Sequence, residues 1–253
     1  MTVAKESQDP AELNNNTYSE DIILPQSDLW SDEPPLESDE HRDEIELLLE
    51  CIKWHWRERN DFYASGNLTI YFNKKRLKTQ DFRGPDFFVV KGRENYSRKS
   101  WVLWEEDNKY PNVIIELLSN STAKTDRGIK KRIYQNTFKT PEYFWFHPHT
   151  LEFKGFRLQG DKYQPLSANE SGWLWSEELE LFLGIYESKL RFFGRDNQLV
   201  PTDNERATTE RLEKEAAQQR AETERLEKEA AQQQVEELKR RLRDLGADPD
   251  ALE

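Results

Sequence analysis

The chain has 253 residues, 35% hydrophobic and 34% charged, with a formal net charge of -12 and a mean hydropathy of -0.99. That balance excludes a fully packed globule of this length, so part of the chain is tail. No stretch approaches the roughly 20 apolar residues of a membrane span, and Cys51, the single cysteine, excludes an internal disulfide framework or a multi-thiolate zinc site.

The acidity lies in the ends. Residues 1–40 carry a net charge of -10 and residues 203–253 a net of -5, which leaves residues 41–202 at +3. A mildly basic centre can meet a phosphate backbone. The N-terminus MTVAKESQDP lacks the apolar run of a signal peptide, so a cytoplasmic location is expected.

The first 39 residues mix Asn, Ser, Pro and acids without a sustained period and read as an acidic disordered tail, with Leu29 and Trp30 docking on the folded part. From Asp39, Ile45, Leu48, Leu49, Ile52 and Trp56 recur at three- and four-residue steps, which predicts an amphipathic helix ending near Asn60. Strand character follows at residues 68–72, 86–90, 101–104 and 112–118, the last almost wholly apolar and therefore central. Residues 119–122 supply cap chemistry for a helix reaching Phe138, with Ile129, Ile133 and Phe138 on its apolar side. Beyond Pro141, strands are predicted at 142–146, 151–156 and 162–165, then a short helix at 177–183 and a strand at 190–193. These runs give a mixed α/β domain over 40–202.

Residues 210–219 recur at 224–233, a shift of two heptads, so 203–253 is expected to form one long charged helix. Leu212 and Leu226 alternate with Ala, Gln and Thr, and the later Val235, Leu238, Leu242 and Leu245 follow a shifted phase. A coiled coil with a partner and a lone solvated helix both remain open.

With no Gly-rich phosphate loop, serine elbow or Cys/His cluster, any chemistry falls to carboxylates and lysines at strand ends. Asp86 follows Gly84 and Pro85 at the head of a strand, where a turn role is the structural alternative. Glu116 interrupts an apolar strand, and desolvating a lone carboxylate there costs several kcal/mol unless it is paired or metal-bound. A buried ion pair with the following helix is one solution. The other requires the two strands to be neighbours, so that both acids converge on a hard divalent cation with water in its remaining positions. Asp126, Lys130 and Tyr134 fall at i, i+4 and i+8 on one helical face, opposite Ile129 and Ile133. Two basic turns, Lys74, Lys75, Arg76 and Lys78, then Arg93, Arg98 and Lys99, are candidate phosphate contacts. The tryptophans read as core and rim.

The blocks 84–90, 114–122, 126–134 and 141–146 resemble, in order and spacing, the bacterial Uma-two (Uma-type) family of "putative restriction endonucleases", part of the PD-(D/E)xK nuclease superfamily. The resemblance covers about residues 40–200. It implies a restriction-endonuclease-like mixed sheet flanked by helices, a long C-terminal helix, and a Mg²⁺- or Mn²⁺-dependent endonuclease acting on DNA. Asp86 and Glu116 match the motif acids and metal ligands. The superfamily's lysine two residues beyond the acid is replaced by Leu118, so the resemblance assigns the catalytic lysine to Lys130, with Lys131 a weaker substitute. His41, Asp126 and Tyr134 are neighbours of the site. A homodimer is expected, because cutting both strands needs two sites. The alternative is a catalytically silent nuclease fold that recruits a protein partner through its C-terminal helix.

Overall fold

The computed structural model describes residues 29–31, 33, 36, 38–73, 82–119 and 123–246. Most of the acidic tail, the basic turn at Lys74, Lys75, Arg76 and Lys78, and the cap at Thr122 lie outside the described residues. Contacts divide the chain into two compact units, Met1–His41 with Asn60–Leu166, and Arg42–Arg59 with Ser167–Glu253.

The first unit contains β1 (Phe62–Ser65), β2 (Ile70–Tyr71), β3 (Phe82–Arg83), β4 (Phe87–Lys91), β5 (Trp101–Val102), β6 (Val113–Leu117), β7 (Glu142–Phe146), β8 (Phe153–Gln159) and β9 (Lys162–Pro165). Six of these strands form one mixed sheet in the order β1-β4-β6-β7-β8-β9. Within it only β6 and β7 are parallel. A parallel neighbour demands a crossover, and the helical residues 123–138 provide it. Every residue of β6 and β7 is buried, which for β6 matches the expectation from the almost wholly apolar run at 112–118. Period two puts Phe88, Val90, Ile114, Leu118, Tyr143, Trp145 and Phe156 on one sheet face, where they join Tyr134 and Phe138 of the crossover helix in a single core. Fully burying each such side chain contributes roughly 1.5–3 kcal/mol.

That helix presents only part of the predicted face, since Phe138 is buried but Ile129 is not. Its turns alternate between α (Ala123–Thr125, Lys131–Ile133) and π (Asp126–Lys130, Tyr134–Phe138). Ile129 is 48% exposed, while Tyr134 is fully buried, so the polar triad faces the sheet and Ile133 packs only at the core's margin. Hydrogen bonds closing five residues back widen each π turn, and a buried acid on the sheet gives the polar side a partner there.

β2 pairs with β3 and with β5 in a second, small sheet. Leu29 and Trp30 do dock on this unit, but through their backbone. Ser100 donates to the Leu29 carbonyl at 2.6 Å and Tyr71 to the Trp30 carbonyl at 2.7 Å, whereas the Trp30 ring is 67% exposed.

The second unit holds most of the helix Asp39–His55, with Ile45, Leu48, Ile52 and Trp56 buried at the expected steps and Cys51 buried beside them. Its antiparallel sheet comprises β10 (Leu174–Ser176), β11 (Leu181–Tyr186) and β12 (Lys189–Phe193). The short helix predicted at 177–183 is therefore a turn leading into β11. Leu181 and Leu183 are both fully buried; Leu181 pairs with Ser176 of β10, and Leu183 with Leu174 of β10 and Phe192 of β12, so strand pairing overrides the local helical pattern.

The helix Asp203–Asp244 runs 42 residues with no buried side chain, roughly 60 Å long. Its start is fixed by a capping box between Thr202 and Glu205 and by Arg191, which donates to both Glu205 oxygens at 2.9 and 2.7 Å. That bond, the largest influence on it, holds the Glu205 carboxyl down at about 2. Pairs such as Arg225 with Glu222 and Glu229 run along its surface. Replacing Thr202 by Ala is expected to cost about 1 kcal/mol, read as a lower urea midpoint.

Candidate active site

The register of β4 on β6, Phe87 with Ile115 and Phe88 with Ile114, brings Asp86 directly opposite Glu116. Both acids share the helix-covered face with Phe88 and Ile114. A Cβ on Gly84 would lie 2.2 Å from the Glu33 carboxyl carbon, so any side chain there would displace that of Glu33. Asp86 Oδ2 accepts the Leu117 N–H at 2.7 Å. The Leu117 carbonyl lies 3.1 Å from His41 Nε2, and His41 Nδ1 lies 3.2 Å from Ser38 Oγ. A carbonyl can only accept, so Nε2 carries the proton and Nδ1 takes the serine hydroxyl. His41 thus reaches the site by holding the backbone next to Glu116.

Glu116 is fully buried. Tyr134 donates its hydroxyl to Oε1 at 2.6 Å, and Lys130 Nζ donates to Oε2 at 3.0 Å. Lys130 also sits 3.0 Å from Asp126 Oδ1, and the Tyr143 hydroxyl secures the Asp126 carbonyl at 3.0 Å. The acid, the ammonium and the phenol spaced by four residues therefore converge on the strand acid. Asp86, Glu116, Lys130, Asp126 and Tyr134 come together, with His41 one peptide away. Lys131 does not join them, because its Nζ lies over the Phe156 ring, 3.2 Å from the centroid.

Three carboxylates face one ammonium in this cluster. Burial pushes Glu116 up to about 7 against the pull of Lys130, and the neighbouring Asp86 charge adds to the rise. Burial raises Asp86 as well, opposed by Lys130 and the Leu117 N–H. Lys130 is penalised by burial, yet Glu116, Asp126 and Asp86 together raise it and keep it charged. Tyr134 is raised far above the phenol range by burial and Glu116, so it acts as a neutral donor. Replacing Tyr134 by Phe leaves a buried carboxylate oxygen short of a partner and should cost about 1–3 kcal/mol, measured by urea denaturation.

The cluster's donor chemistry fits a hard cation. Asp86 and Glu116 offer adjacent carboxylate oxygens, and the local negative charge exceeds what Lys130 neutralises. Among the described residues no group of three or more His, Cys, Asp or Glu is arranged to hold a metal ion, so a cation would have to rest on the two acids with water in its other positions.

The second basic turn is not a free cationic surface. Arg98 is stacked over Tyr63, Tyr96 and Trp101 and bound to Glu106 at 2.6 Å. Arg93 pairs with Glu106 and Asp107, and Lys99 lies over Trp30. Stacking and ion pairing inside the unit consume these charges, which spacing along the sequence does not reveal. Tyr143 and Trp145, by contrast, went unassigned to the site. The strand they share with Phe144 carried the signal, since alternate residues of a strand crossing beside β6 must line the same face.

These features define an α/β protein with an acid-rich centre on the helix-covered face of a mixed sheet. The chain belongs to the Uma2 family, described as "Putative restriction endonuclease", whose model matches residues 13–186. A crystal structure of a putative nuclease belonging to DUF820 from Anabaena variabilis is similar, with 14% identity, a TM-score of 0.42, and coverage of 58% of this chain and 76% of that one. No curated protein matches the sequence. No helix among the described residues is long and apolar enough to cross a membrane.

Proposed function

We propose that this protein is a metal-dependent endonuclease that hydrolyses phosphodiester bonds in DNA. The observation that carries the reading is the pair Asp86 and Glu116, opposed across β4 and β6, with Lys130 Nζ 3.0 Å from Glu116. Family membership supports nuclease function in general; the metal and the DNA substrate are our assignment. Asp86 and Glu116 would hold Mg²⁺ or Mn²⁺, which when bound supplies Lewis-acid stabilisation of phosphoryl charge and a more acidic water. Lys130, kept protonated by three acids, is a preorganised cation for charge developing on the phosphate. Tyr134 fixes the Glu116 rotamer, and His41 and Asp86 hold the Leu117 peptide from its two sides. The lysine lost at position 118 is thus replaced in space by one from the crossover helix.

Purified protein should nick supercoiled plasmid DNA with Mg²⁺ or Mn²⁺ and stop when EDTA is added. Inactivity toward DNA with either ion would remove the reading. A second role is favoured by the 42-residue helix with no buried side chain. It presents Leu212, Leu226, Val235 and Leu238 to solvent, and we assign it to pairing, either with a second copy as a coiled coil or with another protein. Sedimentation of the full chain showing only monomer would exclude the homodimer. A cytoplasmic location accords with a DNA substrate.

A further inference from the structure

Strand register extends the catalytic pair into a transverse row. Glu116 lies opposite Trp145 on β7, and Trp145 opposite Lys154 on β8, so Asp86, Glu116, Trp145 and Lys154 cross one face of the sheet. Strand spacing puts the Lys154 backbone about 10 Å from that of Glu116.

The crossover helix meets β8 along the same face. From Arg127 to Lys131 is one helical turn, a rise of roughly 6 Å, and from Glu152 to Lys154 is two strand residues, roughly 6.6 Å. At the first step the charges are complementary, since Arg127 binds Glu152 at 2.5 Å, which also takes the Trp145 indole N–H at 3.2 Å. At the second step they are not. Lys131 lies over Phe156, two residues from Lys154 on the same strand face, and the Lys154 charge adds to burial in lowering the Lys131 ammonium's pKa. Its Nζ rests on Phe156 at 3.2 Å and near Trp145 at 5.3 Å from the ring centroids. Among the described residues, no carboxylate lies within ion-pair distance of either lysine. An acid at position 154 would repeat the Arg127–Glu152 arrangement; the chain has a lysine, and Lys154 is exposed. Two neighbouring ammonium groups with no counter-ion among the described residues repel each other, while the aromatic floor holds one of them in place. A bound anion would relieve that repulsion.

We propose that Lys131 and Lys154 form a phosphate-binding subsite that grips the nucleic-acid backbone beside the phosphodiester held at Asp86 and Glu116. The identity of the anion rests on the nuclease reading above. The test is binding of a fluorescein-labelled DNA duplex by the full chain in EDTA, followed by anisotropy across a salt series. Removing two phosphate contacts in Lys131→Gln/Lys154→Gln should lower the slope of log K against log salt by about two, and Lys131→Arg/Lys154→Arg should restore it. Lys214→Gln/Lys228→Gln, which changes net charge equally on the C-terminal helix, should leave the slope unchanged. With Mg²⁺, the Lys131→Gln/Lys154→Gln enzyme should show a raised KM at nearly constant kcat. An unchanged slope in that variant overturns the subsite even if the wild type cuts DNA. The slope loss in a protein that never cuts keeps the subsite and removes the nuclease reading. A wild type that neither binds nor cuts removes both.

Discussion

Asp86→Ala and Glu116→Ala should each lower metal-dependent DNA cleavage by about a thousandfold or more, because each removes half of the protein's oxygen donors to an ion that contributes several kcal/mol of transition-state stabilisation. Lys130→Met should cost about 10²–10³ in kcat, the scale of losing one preorganised charge donor. The comparison with Lys131→Met is informative. Lys131 lies over Phe156, away from Glu116, so its loss should not reproduce the kcat defect. Plasmid nicking by the four variants, with thermal melts to confirm folding, checks the set. Wild-type rates in both acid variants would mean that the carboxylates are a structural ion-pair cluster and nothing more.

Without metal, the folded protein should be more stable near pH 5 than near pH 8. Burial raises Glu116 in the first unit and Glu44 in the second to about 7 from an ordinary value of 4.5. A carboxyl whose folded pKa is raised binds its proton more tightly in the native state. Its contribution is complete below about pH 4.5 and is lost as pH rises through 7, by roughly 3 kcal/mol for a shift of this size. Glu205, held low by Arg191, acts in the opposite direction at lower pH, because its contribution fades as pH falls from 4.5 toward 2. Urea midpoints in EDTA at pH 5 and 8 measure the effect. Glu116→Gln and Glu44→Gln should each remove part of the slope, and a slope unchanged in Glu116→Gln would contradict its buried ionisation. At pH 8, Mg²⁺ or Mn²⁺ should restore stability to the wild type through preferential binding to the folded state, and should do so far less for Asp86→Ala.

The acidic surplus at the site gives these two predictions a common cause. Three carboxylates and one lysine are packed where β4, β6 and the crossover helix meet, so the same excess of negative charge that would make the metal-free fold sensitive to pH would also favour a bound cation. The long C-terminal helix behaves differently. Its charges are satisfied between successive turns on a solvated surface, where each pair contributes only a few tenths of a kcal/mol.

Much of this arrangement was legible in the order of residues. The apolar run around Glu116 marked a central strand, since continuous hydrophobicity is what burial on both faces requires. The isolated acids marked a candidate site, because a carboxylate in such a strand is too costly to leave unpartnered, and the ion pair to the following helix that the sequence offered as one solution is present as Lys130 with Glu116. The 14-residue repeat marked the C-terminal helix, because its period is set by backbone geometry alone. Tertiary structure decided the rest. That Asp86 faces Glu116 depends on the register of two strands far apart in sequence, and that Lys130 rather than Lys131 reaches the acid depends on how π turns rotate the crossover helix. The short helix predicted at 177–183 became a turn and the start of β11, because pairing on both edges outweighed local preference. The fate of Arg98 and Lys154, one stacked and ion-paired, the other without an acid among the described residues, follows from neighbours brought close only by folding. Local periodicity records which side chains must be buried; it holds no information on which buried groups will meet.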